Sequence, residues 1–92
     1  MLIEYTKLSF PKRTVIIKSW GRNKSKVKKI IGYSVRRLSG GRCEVRPLRE
    51  NEINHSRGNY LDGQGIACTK ETKITREEYI KITETLKLII HV

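Results

Sequence analysis

The feature that most constrains the fold is a glycine-rich segment, Ser39-Gly40-Gly41, between two runs of strand-forming residues. In the first run, Ile31, Tyr33 and Val35 alternate with small or polar residues, which is the pattern of a strand with one apolar side. Glycine tolerates the positive φ angles of tight turns, so the segment predicts the loop of a β-hairpin. The chain therefore contains at least one antiparallel strand pair.

The length of this loop sets the register of the hairpin. A three-residue loop pairs Val35 with Val45 and Arg36 with Glu44, so that apolar meets apolar and an acid faces a cation. A two-residue loop would set Val35 against Arg46 and bury the apolar pattern less well. We therefore predict the three-residue loop.

Two further strands are predicted before this hairpin. Leu2 to Phe10 reads as a strand, and Pro11 ends it because proline cannot donate a ladder hydrogen bond. Arg13 to Trp20 is rich in strong β-formers and reads as the second strand. Gly21 to Ser25 is then interpreted as a turn that projects cations into solvent.

The second half of the chain is less regular. Glu50 to Gly65 is dense in asparagine and glycine and shows no apolar period, so we interpret it as a long connection. Ile66 to Ile74 returns to alternation and is predicted to be a strand, with its polar second half suited to a sheet edge.

A helix is predicted at the C-terminal end of the sequence. Thr75 with Glu78 three residues later matches a capping box, and the helix is expected to run to about Lys87. Its apolar stripe consists of Tyr79, Ile82, Leu86, Ile89 and Ile90. The predicted fold class is therefore α+β: an antiparallel sheet of four to five strands with a C-terminal helix packed on one face.

Length and composition limit the class of protein. Ninety-two residues suffice for one domain, which we take as residues 1–92. No apolar run approaches the roughly 18 residues that cross a bilayer, and Met1 to Phe10 lacks the pattern of a signal peptide. A cytoplasmic protein is expected, in which Cys43 and Cys68 are reduced thiols.

The positive charge is concentrated in one part of the chain. The net charge is +11, and the segment Lys12 to Arg49 holds thirteen lysines and arginines against the single acid Glu44. Such a cluster repels itself, and a polymer of phosphates supplies the compensating charge. We therefore expect a non-enzymatic protein that binds nucleic acid, with RNA favoured over DNA, or a nucleoprotein complex.

The expected contacts are phosphate-binding cations together with one aromatic residue at a strand end. On a one-sided sheet, Lys18, Lys28 and Arg36 are expected to point away from the helix together. Tyr33 is in phase with apolar neighbours and is assigned to the core, whereas Trp20 beside a turn is a candidate for ligand contact. The predicted nucleic-acid-binding residues are Lys18, Trp20, Arg22, Lys24, Lys26, Lys28, Lys29, Arg36, Arg42 and Arg46.

Several alternatives remain open at this point. The basic surface could serve solubility alone, or bind an acidic protein or an anionic membrane surface, although membrane binding is not our expectation. A second hypothesis is a small virus-encoded inhibitor, similar in kind to anti-CRISPR proteins, that docks on a host nucleoprotein complex and blocks its nucleic-acid site. A third is a small toxin-type ribonuclease that uses His55, Arg57 or Tyr60.

A metal site is not predicted. The four possible ligands, Cys43, Cys68, His55 and His91, lack the close paired spacing of zinc sites. We expect no cofactor and no small-molecule substrate.

Overall fold

Strong β-formers and turn residues alternate along most of the chain, and they produce a mainly β fold. The computed structural model describes residues 2–23 and 26–90, the last four of these as helix backbone only. In order, the elements are β1 (Leu2–Phe10), β2 (Arg13–Asn23), β3 (Lys26–Arg37), β4 (Cys43–Pro47), β5 (Ile53–Ser56), β6 (Asn59–Asp62), β7 (Lys70–Lys73) and α1 (Arg76–Ile90).

Five of the strands form one antiparallel sheet in the order β4-β3-β2-β1-β7, while β5 and β6 form a separate two-stranded sheet. The predicted α+β fold class is thus confirmed, and the described residues contain five strands in the main sheet and one helix at the C-terminal end. Strand β2 lies in the middle, and its residues Val15, Ile16 and Ile17 are 0, 3 and 0% exposed. Because successive side chains point to opposite faces, both faces of β2 are covered.

The predicted β3–β4 hairpin is confirmed in loop length and in register. Ser39–Gly41 forms a single 3₁₀ turn, and the backbone N–H of Leu38 donates to the carbonyl of Arg42 at 2.8 Å. Val35 pairs with Val45, as the apolar pattern required.

The β2–β3 hairpin corrects one sequence interpretation, because Gly21 lies inside β2 and does not begin a turn. It is buried and pairs with Val27, next to an irregularity in the ladder. A β-carbon at this position would overlap the backbone carbonyl of Lys26, so the glycine permits a close approach of the two strands. The strand therefore continues to Asn23, and residues 24 and 25 lie outside the described residues.

The long connection predicted for residues 50–65 is wrong, because this segment contains the β5–β6 hairpin. Arg57 and Gly58 make its two-residue turn with φ angles of 52° and 81°, the positive values that a type I′ turn requires. Ile53 and Tyr60 are 5 and 2% exposed. The sequence signal for this hairpin is the Arg57-Gly58 turn between Ile53 and Tyr60, which are the buried residues of its two strands.

The β5–β6 hairpin covers one face of the main sheet, which we call the hairpin face. Ile53 and Tyr60 pack there against a cluster that includes Leu8, Val15 and Ile17. The hydroxyl of Tyr60 lies 3.2 Å from the hydroxyl of Ser19, so this buried polar pair satisfies itself. The sheet therefore has a second layer on the face that the sequence interpretation left open.

Helix α1 covers part of the opposite face, which we call the helix face. The Thr75 hydroxyl accepts a hydrogen bond from the backbone N–H of Glu78 at 3.1 Å, which confirms the predicted cap. The Tyr79 ring lies 5.0 Å from the ring of Tyr5 on β1, and burial raises the pKa of Tyr79, with Tyr33 and Tyr5 nearby as further causes. The helix thus rests on aromatic residues of the sheet.

The helix stripe includes one residue that the sequence pattern omitted. Thr83 is 6% exposed, and its hydroxyl donates to the backbone carbonyls of the preceding turn, so a polar side chain is tolerated there. Leu86 is buried as predicted, whereas the side chains of Ile89 and Ile90 lie outside the described part. Within residues 2–23 and 26–90, no helix is long and apolar enough to cross a membrane.

The strand predicted for Ile66 to Ile74 is shorter than expected. Only Lys70–Lys73 is a strand, at the edge of the sheet beside β1 as predicted, and all four residues are exposed. Ile66 is 47% exposed and follows a turn. Its own backbone N–H donates to the carboxylate of Asp62 at 2.9 Å. After the aspartate turn the chain pairs briefly with β6 instead, since Ala67 forms an isolated bridge with Leu61 and the backbone N–H of Cys68 donates to the carbonyl of Tyr60 at 3.1 Å.

The close contact of β2 with β3 at Gly32 generates a stability prediction. A β-carbon on Gly32 would overlap the backbone carbonyl of Ile16, between two strands that each have a neighbouring strand on both edges. We expect Gly32→Ala to lower the free energy of unfolding by about 2–3 kcal/mol, measured by urea denaturation. Gly63→Ala is the matched control, since its nearest atom would be 3.8 Å away, and equal stability of the two variants would contradict the packing described.

Candidate nucleic-acid interface

The predicted binding residues fall into two groups at opposite ends of β3. The strand enters from β2 at Lys26 and leaves towards β4 at Arg37, a span of about 36 Å at the usual rise per residue. The longest dimension of the molecule is 40 Å. The basic segment is contiguous in sequence, but it does not form one continuous surface.

The first group, the Trp20 end, lies where β2 and β3 meet near residues 24 and 25. It contains most of the predicted residues, and Lys24 lies outside the described part of the chain. We define the Trp20 end as Ile3, Lys18, Trp20, Arg22, Lys26, Lys28, Lys29 and Ile31.

Two lysines flank the indole ring at the Trp20 end. The Nζ atom of Lys18 lies 4.8 Å from the Trp20 ring centroid, and Nζ of Lys29 lies 5.7 Å from it. Strand pairing explains this, because Lys29 is directly opposite Trp20 and Lys18 is two residues away on the same face. Attraction between an ammonium group and the indole face holds the cations beside the ring.

Two aliphatic side chains at the Trp20 end are exposed on the helix face. Ile3 pairs with Trp20 and is 45% exposed, and Ile31 pairs with Lys18 and is 42% exposed. Ile31 is on the same side of β3 as Tyr33, as predicted, but it lies beyond the area that α1 covers. This end of the helix face therefore presents apolar and cationic groups together.

A cleft of about 520 Å³ opens beside the tryptophan. Its lining consists of Trp20, Gly21, Arg22, Lys28 and Lys29. Apart from Gly21, every lining residue carries either the aromatic ring or a positive charge. The cleft can therefore hold a flat group and an anion next to each other.

The cations of the Trp20 end have no acidic partners in the part of the chain that the structure describes. No carboxylate among residues 2–23 and 26–90 lies within 4 Å of the charged groups of these cations, which are Lys18, Arg22, Lys26, Lys28 and Lys29. Glu4 of neighbouring β1 lies on the opposite face, opposite Ser19, and its carboxylate pairs with Lys73 at 2.5 Å. The described carboxylates therefore do not offset the repulsion between the cations of the Trp20 end.

The second group, the arginine end, contains an internal acid. We define it as Lys12, Arg13, Arg36, Arg37, Arg42, Arg46 and Arg49. The Glu52 carboxylate accepts two hydrogen bonds from Arg46, at 2.6 and 2.7 Å, one from Arg13, and one from the backbone N–H of Arg49 at 2.9 Å. Arg46, a predicted phosphate contact, thus already has a carboxylate partner.

The protonation of Glu52 reflects these contacts. Burial alone would raise its pKa, but the hydrogen bonds from Arg46, from the Arg49 backbone and from Arg13 lower the pKa to about 2. The hydrogen bond to Glu52 also raises the pKa of Arg46, against the effect of its burial. The carboxylate therefore joins the segment after β4 to the sheet as a structural ion pair.

The expectation that Lys18, Lys28 and Arg36 point away from the helix together is wrong. Arg36 pairs with Arg13 and lies on the hairpin face, whereas Lys18 lies on the helix face with Trp20. The extra residue near Lys28 interrupts the alternation of β3. Lys18 and Lys29 therefore share the helix face with α1, which covers only part of that face.

The residues of the ribonuclease hypothesis do not share an exposed site. Tyr60 is buried with its hydroxyl at Ser19, while Arg57 is exposed in the turn of the β5–β6 hairpin. His55 is half-buried, with its ring 4.8 Å from the Tyr60 ring in an edge-on contact. Tyr60 is therefore a core residue and not a candidate for catalysis.

The cysteines are free thiols at separate places in the fold. Cys43 is exposed on β4, and Cys68 is half-buried against the core of the hairpin face. Within residues 2–23 and 26–90, no three histidine, cysteine or acidic side chains are close enough to hold a metal ion, and His91 lies outside this part.

The Glu52 ion pairs generate a prediction on pH dependence. The folded pKa is below the ordinary value of 4.5, so the stabilisation is complete above about pH 4.5 and is lost as the pH falls towards about 2. We expect this group to contribute about 3 kcal/mol to the unfolding free energy at neutral pH. In urea denaturation at a series of pH values, the unfolding free energy of Glu52→Gln should lack the part that the unmodified protein loses between about pH 4.5 and about pH 2.

The matched control for this experiment is Glu50→Gln, which removes an exposed carboxylate nearby. It should keep the acid dependence of the unmodified protein. If Glu52→Gln and the unmodified protein lose stability in parallel below pH 4.5, the structural role of Glu52 is contradicted.

Comparison of the chain with models of protein families, with curated proteins and with solved structures found no match.

Proposed function

We propose that this protein binds nucleic acid, with RNA favoured over DNA, through the Trp20 end. The observation that supports this most directly is an aromatic ring with Lys18 and Lys29 beside it and no carboxylate near either ammonium group within the described chain. Phosphates supply the missing charge, and the ring supplies a face for a base.

The arginine end is a weaker candidate than the Trp20 end. Glu52 engages Arg13 and Arg46 there, and Glu44 lies opposite Arg36 in the strand register. A phosphate that approached these arginines would compete with carboxylates that the fold already holds in place. The Trp20 end has no comparable competitor among the described residues.

The preference for RNA follows from the apolar part of the surface. Ile3, Ile31 and Trp20 offer contact area to bases, but the bases of a duplex are stacked on each other and unavailable. Unpaired bases occur in the loops and bulges of RNA far more than in duplex DNA. An RNA with unpaired segments is therefore the ligand class that uses both parts of the surface.

The test is a salt-dependent titration of labelled RNA with two charge-reversal variants. We expect the logarithm of the affinity to fall with the logarithm of salt concentration with a slope of about −2 to −3.5, because up to five cations contact phosphates. Lys28→Glu/Lys29→Glu should weaken binding roughly tenfold or more at about 0.1 M salt.

The matched control is Arg37→Glu/Arg42→Glu, which makes the same change in net charge at the arginine end. Both positions are exposed, so circular dichroism should show native folds for the two variants. At about 0.1 M salt the control should bind within about threefold of the unmodified protein, because the arginine end then lies several Debye lengths of about 10 Å from the Trp20 end. Equal losses in both variants would contradict a localised site, and weak binding without salt dependence would contradict the proposal itself.

A further inference from the structure

We infer that the Trp20 end selects single-stranded nucleic acid, with one unpaired base stacked on the indole of Trp20 and its neighbouring phosphate held in the adjacent cleft. This inference rests on the proposed function and specifies the form of its ligand. The occupant is defined by two features that lie side by side, an aromatic face and a set of cations that have no acidic partner among the described residues.

The first step of the argument is the position of the indole. Trp20 is half-buried, so the residue packs against its neighbours in the sheet and still keeps some surface open to solvent. Its cross-strand neighbours on both sides, Ile3 and Lys29, fix its place in the face. A ring held in this way loses little freedom when a base stacks on it, which favours binding.

The second step concerns the lysines beside the ring. Their attraction to the indole is worth about 0.5–1 kcal/mol at an exposed site, and both have long flexible side chains. A phosphate offers an ammonium group a stronger charge-assisted partner than an aromatic ring does. Lys18 or Lys29 can therefore move from the ring to a phosphate when a base takes its place.

The third step is the arrangement of the surrounding residues. Arg22 and Lys28 line the cleft with Trp20, near the end of β2 and the start of β3, while Ile3 and Ile31 lie on the helix face beside Trp20 and Lys18. A single strand of nucleic acid contacts the apolar and the cationic residues together when its bases face Ile3 and Ile31 and its phosphates face the cleft. A duplex reaches only the cations, because its bases are paired and stacked internally.

The experiment uses the intrinsic fluorescence of the protein, since Trp20 is the only tryptophan of the sequence. The unmodified protein is titrated with three polyanions: an unstructured oligouridylate, the same strand paired with oligoadenylate, and inorganic polyphosphate. We expect strong quenching by the single strand and clearly weaker quenching by the duplex and the polyphosphate at equal occupancy. Occupancy is measured separately, by anisotropy of labelled strands and by competition for polyphosphate.

Variants at the ring separate stacking from charge. Trp20→Leu should weaken binding of the oligouridylate roughly tenfold and leave polyphosphate binding within about twofold, whereas Trp20→Phe should retain most of the affinity for the strand. If Trp20→Leu does not fold, the quenching comparison on the unmodified protein and the Trp20→Phe titration still test the inference.

The outcomes distinguish the inference from the proposed function. Equal quenching and equal affinity for single strand, duplex and polyphosphate would overturn base stacking while leaving salt-dependent nucleic-acid binding intact. Absence of binding to both nucleic-acid probes would overturn the proposed function and the inference together. Tight single-strand binding that is lost in Trp20→Leu and kept in Trp20→Phe would support both.

Discussion

The burial of β2 on both faces is the constraint on which the rest of the structure depends. Val15 and Ile17 point into the layer under the β5–β6 hairpin, and Ile16 points towards the helix. A shift of one residue in the pairing of β2 would exchange these faces and expose the core. The same register fixes which cations share a face with Trp20, so the position of the candidate site follows from the packing of the core.

The two ends of β3 use positive charge in different ways. At the arginine end, Glu52 accepts hydrogen bonds from two guanidinium groups and joins the segment after β4 to the sheet, so part of the charge stabilises the fold. At the Trp20 end, the described cations lack such partners and lie beside an aromatic ring. The net charge of a segment therefore says less about binding than the placement of its few acids.

Local patterns in the sequence predicted the local structure well. The Ser39-Gly40-Gly41 loop and the Thr75 cap were predictable because short-range backbone geometry determines both. The β5–β6 hairpin was missed because only two of its residues, Ile53 and Tyr60, are buried, which gives no visible apolar period. The division of the basic residues between two ends could not be read from spacing, since it depends on how the strands pair and on which part of a face the helix covers.

The strands at the two edges of the sheet have a consequence for self-association. All four residues of β7 are exposed and two of them are lysines, while β4 ends in Pro47, which cannot donate a hydrogen bond to a further strand. Open edges of this kind resist the addition of a strand from another molecule. If the proposed binding brings many copies onto one polyanion, these edges keep the copies separate, because neutralising the surface charge does not by itself pair one sheet with the next.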